Sequence, residues 1–362
     1  MEKKNQNKTT NNGIYVAPLI NPNEHFYTIS AFSGIGGMDK GAKRAGFTSL
    51  LQSDWWAPTG KAFELNIPGL CNSPKPDYLK SEGIFLSGEQ MGDIRKMKFA
   101  SSTSKSISIR DLIKEKLGIQ ISKRQIAVIL GGPPCQGITL ANSDRNPFDK
   151  RNELIFELLR LINEFKPKVG LIEQVPVILG EDMIPLMNRV LSYIALMTDY
   201  HCTYKVLNAM DYGARQDRRR IIFMLVRKDL DVMPSFPEPV QFDLSKVSVN
   251  ALLPHIYHFS PGQFLNGIKS AKDNIFCTMT ASGSEYVYEL DGKPRKPTLE
   301  EKLRLTELDG YNLEGIPRTH QNRLLGNMVQ ISFAEALFRH IKIHILKYDN
   351  SIPLHSQLAI AA

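Results

Sequence analysis

A cysteine, a glutamate and a pair of arginines stand where apolar runs end or begin, and these residue types could do chemistry together. Cys135 lies in "GGPPCQG", directly after the run Ala127-Val128-Ile129-Leu130. A lone cysteine is more commonly buried and inert among apolar neighbours. This one follows Pro133 and Pro134, which fix the backbone into a turn just past the run. A thiol presented there is a candidate nucleophile. Glu173 ends a second apolar run in "LIEQVP". It is expected to face the same crevice, where desolvation favours the neutral form that can donate a proton. In "RQDRRRIIF", Arg218 and Arg220 alternate along a strand and share one face, with Arg219 on the other. They are either solvated charges guarding an edge strand or a cation pair aimed at the crevice.

A second constellation points to a cofactor. "FSGIGG", Phe32 to Gly37, joins an apolar strand to a helix. Glycines at such a turn let the backbone approach a ligand, and an acidic residue about 20 positions on can hold a ribose. Asp54 lies 20 residues after Gly34. Gly34, Gly36 and Gly37 are not followed by the last glycine of the dinucleotide pattern, so a nucleoside cofactor without a pyrophosphate fits better than NAD. Trp55 and Trp56 come next; either could stack on an adenine, and both could equally be packing residues.

These residues need a scaffold that brings strand ends together. "HFYTISAF", "SLLQSDWW", "AVILGG" and "VGLIEQV" read as strands. "NELIFELLRLINEF" (152–165) and "EDMIPLMNRVLSYIALM" read as amphipathic helices. Continuous apolar strands alternating with helices predict an α/β fold with a doubly wound, mostly parallel sheet. "YKVLNAM" and "RRRIIFMLV", separated by a turn-like stretch, predict a hairpin at the sheet edge. The segment 95–124 reads as an insertion between core strands. Prolines in "DVMPSFPEPV" mark a boundary. The expected organisation is a flexible tail over 1–25 and a catalytic domain over 26–230. A smaller, loop-rich domain follows over 231–320, then a C-terminal helix within 321–350 that returns to the first domain, and a tail over 351–362.

The chain as a whole narrows the class. Its 362 residues can bury a large core, and 42% hydrophobic with 23% charged residues is ordinary for a soluble globular protein. No apolar stretch is long enough to span a bilayer, and the N-terminus lacks a signal-peptide core. Cys71, Cys135, Cys202 and Cys277 fit no zinc spacing and no disulfide framework, so no metal and a reducing, cytoplasmic setting are expected. A net charge of +8 favours a polyanionic partner without proving one.

Taken together and in order, these motifs resemble the DNA cytosine-5 methyltransferases, over most of residues 27–345. "AFSGIGG" is similar to that family's S-adenosylmethionine loop, and "GGPPCQG" to its nucleophile motif. "DKRNELIF" resembles the segment that closes the catalytic loop, and "IEQV" resembles Glu-Asn-Val with Gln174 in place of the asparagine. Gln216 to Arg220 match Gln-x-Arg-x-Arg, and Gly326-Asn327-Met328-Val329 match Gly-Asn-x-Val. "TLEEKLRLTELDGY" is a weaker likeness that lacks the usual Gln-Gly-Phe-Pro ending. The resemblance implies a Rossmann-like methyltransferase sheet with a target-recognition domain. It implies a cofactor site of Phe32, Gly34, Gly36, Gly37, Asp54, Trp55, Asp93, Ile94, Pro133, Leu154, Asn327 and Val329, with Gly92-Asp93-Ile94 at the next cofactor strand end. It implies catalysis by Cys135, Glu173, Arg218 and Arg220, and DNA contacts by Gln136 and Gln216.

The chemistry implied by the resemblance is methyl transfer from S-adenosylmethionine to C5 of a cytosine flipped out of double-stranded DNA. The Cys135 thiolate adds at C6, Glu173 protonates N3, and Arg220 contacts O2 and holds Glu173. The thiol's pKa has to be lowered, for which the arginines are candidates. Residues 138–150 are expected to form the mobile loop that closes over the base. "GQFLNGIKSAKDN" and "DGKPRKP" of the small domain offer amides and cations for base edges and phosphates. A monomer is expected, with a restriction endonuclease sharing the target site as a candidate partner. Two alternatives stand beside this reading. One is a tRNA cytosine-5 methyltransferase, whose Cys-Phe-Thr signature is not matched by Phe276-Cys277-Thr278. The other is a catalytically silent DNA-binding relative, favoured only by Gln174.

Overall fold

A computed structural model describes residues 13–17, 26–66, 83–101, 103, 105–135, 137–138, 145–241, 243–262 and 267–346. Its first half runs β1 (Ile14–Ala17), β2 (Tyr27–Ala31), α1 (Gly37–Arg44), β3 (Thr48–Asp54), α2 (Ala57–Glu64), β4 (Gly83–Ser87) and α3 (Gly88–Met91). A small parallel pair, β5 (Met97–Lys98) and β6 (Ile107–Ser108), precedes α4 (Ile109–Leu117). Then come β7 (Val128–Gly131), α5 (Leu154–Phe165), β8 (Val169–Gln174), α6 (Ile184–Leu196), β9 (Tyr200–Asn208), β10 (Gln216–Asp217) and β11 (Arg219–Arg227).

The described strands build an eight-stranded sheet in the order β1-β4-β3-β2-β7-β8-β11-β9. Strands β4, β3, β2, β7 and β8 are mutually parallel, while β11 runs antiparallel to both neighbours. The predicted edge hairpin is therefore present as β9 and β11. The strands are nearly all apolar because helices cover both faces. On one face, Leu158, Ile162 and Phe165 of α5 and Leu186 and Val190 of α6 join Ile29, Ile129 and Ile172 in one core. On the other, Met38 and Ala42 of α1 meet Val128, Leu130 and Phe333.

Chain order reverses between β2 and β7: from β2 the chain moves outward through β3 and β4, and from β7 it moves the other way to β8. In open α/β sheets a ligand crevice forms outside the carboxyl ends of strands at such a switch point. Register aligns the ends, because Ala31 pairs with Ser53 on one side and Gly131 on the other, and Gly131 pairs with Ile172. The turns carrying the cofactor glycines and Cys135 thus leave neighbouring strands at the same level.

Three expectations need correction. Residues 1–25 are not polar tail throughout, since Ile14–Ala17 pair antiparallel with β4 and the Gly13 carbonyl accepts from Ser87 N at 2.7 Å. The segment 95–124 is not an insertion. Its helix α4 buries Ile109, Leu112 and Ile113 in the core and carries the crossover from β4 to β7. The single C-terminal helix expected within 321–350 is broken. Helix α10 (Arg318–Asn327) ends before an extended Met328, α11 (Ile331–His340) follows, and a π-helical turn covers Ile341–Ile345.

Beyond β11 the proline-rich stretch is tacked down rather than loose, with Tyr212 Oη donating to Pro237 O at 3.0 Å and Val240 N to Asp211 O at 2.9 Å. Short elements follow: α7 (Leu244–Val247), α8 (Val249–Leu252), β12 (His258–Ser260), β13 (Lys269–Ser270), β14 (Phe276–Cys277), β15 (Tyr286–Tyr288), β16 (Pro294–Arg295) and α9 (Leu299–Leu305). Their sheet has the order β13-β12-β15-β16, while β14 pairs with β10. Phe259, Phe276, Val287 and Leu303 share a core with Leu324 and Leu325 of α10 and with Ile35 beside the glycine turn. Among the described residues, no helix is long and apolar enough to cross a membrane, and no cluster of His, Cys, Asp and Glu could hold a metal.

Candidate active site

The cysteine turn is shaped by its neighbours. Strand β7 ends at Gly131, and the chain passes Gly132, Pro133 and Pro134 to reach a partly exposed Cys135. Ile138 N donates to Cys135 O at 2.9 Å and closes a tight turn behind the thiol. A Cβ on Gly132 would stand 2.8 Å from Glu173 Oε2, so a side chain there would press on the Glu173 carboxylate. The carboxylate's other oxygen pairs with Arg220 Nε at 2.6 Å, with both side chains largely buried. Cys135, Glu173 and Arg220 are thus brought together as the sequence suggested, and the buried carboxyl has its partner.

The thiol itself departs from expectation. Burial pushes its pKa above the ordinary cysteine value, the Glu173 charge adds to this, and Arg220 and Arg218 only oppose it. In the free protein the cations do not outweigh desolvation, so the thiol is held protonated.

Gln174, the residue that departs from the resembled motif, has a definite position. It is buried, its Nε2 donates to Pro133 O at 3.2 Å, and its Oε1 accepts from Val175 N at 2.8 Å. The longer amide therefore staples the end of β8 to the cysteine turn and leaves Glu173 in its ion pair.

Arg218 and Gln216 are turned toward the protein's own backbone. Arg218 is buried, and its guanidinium donates to Met279 O at 3.1 Å and Gly326 O at 2.7 Å. It acts as a positioning residue that anchors the small domain and the end of α10 beside the crevice. Gln216 is fully buried, donating to Leu305 O and accepting from Met279 N, both at 3.1 Å. A fully buried amide with both ends engaged cannot reach DNA, so the DNA-contact expectation for Gln216 is corrected to a link between domains. Gln136 lies outside the described residues, as do 139–144 of the expected catalytic loop. The loop's base is described: Asn146 N donates to Gly137 O at 3.2 Å, and buried Asn152 donates to Asn146 O at 2.9 Å.

The glycine turn lies next door. Gly34 has φ +56° and a Cβ there would meet nothing within 4 Å, so its backbone faces open space. Asp54 accepts from Gly34 N at 3.0 Å and from Trp56 N at 2.9 Å, which fixes the carboxylate at the end of β3. Burial raises its pKa against these two bonds. Trp55 is exposed, while Trp56 is held by His320, with ring centroids 5.0 Å apart, and by Arg323, 4.3 Å above its ring. Trp55 is therefore the indole free to stack. His320 and Arg323 went unnoticed in the sequence because nothing local marks a helix so distant in the chain as the lid on Trp56.

The remaining expected cofactor residues divide into two groups. Asp93 lies beyond the end of β4, past α3, yet it belongs to this crevice, because a Cβ on the preceding Gly92 would fall 2.0 Å from Asp54 O. Burial opposes ionisation of Asp93, but bonds from Arg95 outweigh it and hold the carboxyl below its usual range. Val329 brings its carbonyl against Gly37, where a Cβ would be 2.1 Å away, and Asn327 is exposed at the end of α10. Ile94, Leu154 and Phe32, by contrast, pack with the core, so any contact they make with a cofactor is limited to what the core leaves open. Pro133 is spent on Gln174 through its carbonyl.

Comparison with known proteins agrees with this geometry. Residues 91–258 match the family model described as C-5 cytosine-specific DNA methylase. A type II methyltransferase, M.MthTI of Methanothermobacter thermautotrophicus, is 30% identical over 212 residues, which are 58% of this chain and 52% of that protein. The chain thus spans about half the length of the first relatives it matches. M.AquIA of Picosynechococcus sp. is 30% identical over 218 residues and is covered to 75% of its length, with 58% of this chain. A solved E. coli structure, described as a prophage-encoded DNA modification methyltransferase, shares the fold with a TM-score of 0.61 at 20% identity, covering 86% of this chain and 97% of its own. Motif order, the convergence of Cys135, Glu173 and Arg220 at the switch point, and these similarities lead to one assignment: the chain belongs to the C-5 cytosine-specific DNA methylase family.

Proposed function

We propose that this protein transfers a methyl group from S-adenosylmethionine to C5 of a flipped-out cytosine within a specific sequence of double-stranded DNA. The observation that carries the reading is the buried Glu173–Arg220 pair set against the Cys135 turn at the sheet's switch point. Cytosine C5 is too poor a nucleophile to accept a methyl group unaided. As Cys135 Sγ adds to C6, the ring's electron pair moves onto C5, and the thiol's proton passes through the Glu173 carboxylate to N3, which neutralises the charge that develops on the ring. Arg220 contacts O2 and keeps Glu173 in place. After methylation, a base takes the C5 proton, whose electron pair restores the C5–C6 double bond as the C6–Sγ bond breaks, and the N3 proton returns through Glu173 to the freed thiolate.

S-adenosylmethionine supplies the electrophilic methyl group when bound. The residues present suit it: Gly34 offers open backbone, Asp54 holds ribose hydroxyls with lone pairs its backbone bonds leave free, and Trp55 offers a face for adenine. Asp93 and Asn327 complete the polar rim. The small domain, roughly 231–320, takes the role of target recognition. The type II names of the relatives support a partner nuclease that reads the same site.

The direct test is incubation with duplex DNA and S-adenosylmethionine, followed by bisulfite mapping. 5-Methylcytosine at one recurring sequence is expected; methylation of RNA alone, or of nothing, would sink the reading. Cys135→Ser is expected to abolish transfer while DNA binding, measured by anisotropy, persists.

A further inference from the structure

The strongest unassigned feature lies where the small domain meets α10. A cavity of about 440 Å³ opens there, lined in part by Lys296, Lys302, Arg318, Gln321 and Asn322. No acidic side chain is among its described lining residues. Lys302 is 3% exposed and donates to Asn322 Oδ1 at 2.6 Å. Lys296 donates to Gly283 O at 2.8 Å and sits 3.8 Å from the centroid of the Tyr286 ring. Each ammonium spends one hydrogen bond on the protein and keeps its other donors. Arg318 makes no hydrogen bond or ion pair with the described residues and is exposed at the rim.

Two carboxylates face these three cations and offset them only in part. Glu301 is shared with Arg295 and His255, and Glu285 accepts from Thr280 N through one oxygen while its buried Oε2 has no hydrogen-bond partner. Burial lowers the Lys302 pKa and Arg318 lowers it further, against the pull of Glu285 and Glu301. The cluster is assembled for a ligand with several acceptor oxygens.

Its place in the fold says which one. Gly326 lies in the last turn of helix α10, its carbonyl takes the guanidinium of Arg218, and Arg218 lies within electrostatic reach of Cys135. Asn322 and Arg318 stand four and eight residues before Gly326 on that helix. At a rise of about 1.5 Å per residue they lie about 6 and 12 Å away along its axis.

We infer that this cavity binds a backbone phosphate of the DNA substrate flanking the target cytosine, through Lys296, Lys302 and Arg318. The inference rests on the proposed function and adds a residue-level contact to it. As a phosphate contact it fixes register and adds affinity on any sequence, without reading bases.

The test is anisotropy of the full chain on target-containing and unrelated duplexes across a salt series, for wild type, Arg318→Gln and the double variant Lys296→Gln/Arg318→Gln. Arg318→Gln is expected to weaken binding about tenfold on both duplexes and to lower the slope of log affinity against log salt by about 0.9. The double variant is expected to lower it further. The melting temperature of Arg318→Gln should not change, because the guanidinium has no partner within the described chain. Wild-type methylation with unchanged slopes in both variants overturns the pocket and leaves the functional reading standing. Inorganic phosphate bound by wild type and lost in Arg318→Gln, again with unchanged DNA slopes, assigns the cavity to a free anion and also overturns the inference. A wild type that neither binds nor methylates DNA removes the functional reading and this ligand with it.

Discussion

At the scale of single residues, the site is governed by the competition between burial and charge around Cys135. Its thiol is pushed up by desolvation and by Glu173, and Arg220 pulls it partway back. Alkylation of the free protein by iodoacetamide should therefore be slow near neutral pH and rise only above pH 9, the ordinary value that this thiol exceeds. Arg220→Met removes one opposing cation, leaves Glu173 uncompensated, and should move that profile to still higher pH. A profile with its midpoint below the ordinary cysteine value would contradict the arrangement. Gln174 is the second residue-scale case. Gln174→Leu leaves Pro133 O and Val175 N without their partner, at about 1–3 kcal/mol for each buried group. Gln174→Asn is one methylene shorter and is expected to lose the bond to Pro133, costing about 1 kcal/mol. With the thiol turn less fixed, kcat should fall in this variant while KM for the cofactor holds. Single-turnover methylation beside denaturant melts would separate the two effects.

Elements show how tightly the crevice depends on helix approach. Helix α1 can start at Gly37 only because no side chain fills the gap to the Val329 carbonyl. In Gly37→Ala the added carbon meets backbone rather than a flexible side chain, so α1 and the segment between α10 and α11 must part. A loss of about 3 kcal/mol is expected in urea unfolding, with weaker cofactor binding by calorimetry. Helix α9 is held at its start by a capping box between Thr298 and Glu301, and Glu301 also meets Arg295 and His255. Burial opposes ionisation of Glu301, but those partners outweigh it and hold its pKa at about 2, against an ordinary 4.5. The folded state thus binds this proton less readily than the unfolded state. Its contribution to stability is complete above pH 4.5 and is lost as pH falls through about 2. Glu301→Gln should flatten that acid limb, as read from denaturant midpoints between pH 5 and about 2; an unchanged limb would remove Glu301 from the account.

Across the whole molecule, two buried side chains join the cores. Gln216 reaches Leu305 and Met279, and Arg218 reaches Met279 and Gly326. Gln216→Leu leaves an acceptor and a donor unpaired at the seam, at about 1–3 kcal/mol each. Tryptophan fluorescence, which reports on Trp55 and Trp56 beside the sheet, should then separate from far-UV circular dichroism during urea unfolding. Coincident transitions at the wild-type midpoint would show that the seam does not depend on this residue.

Much of this was legible in the amino-acid sequence. The strands ending at Ala31, Asp54, Gly131 and Gln174 could be read because both faces of the sheet are covered, so their residues are apolar without interruption. Cys135, Glu173 and Arg220 were legible because polar groups at the ends of such runs have few structural reasons to be there. The crossover role of α4 and the strand at Ile14–Ala17 were not, since short elements carry too little periodicity and depend on what they pack against. Nor could sequence tell Arg220 from Arg218, or separate Gln216 from a DNA contact. Alternation along a strand gives the face a side chain takes, while its partner is chosen by whichever distant backbone carbonyl lies within reach. The sequence by itself determined which groups could do the chemistry. Only the tertiary structure decided which of them face the crevice and which hold the two cores together, because burial and hydrogen-bond partners are properties of the packed chain.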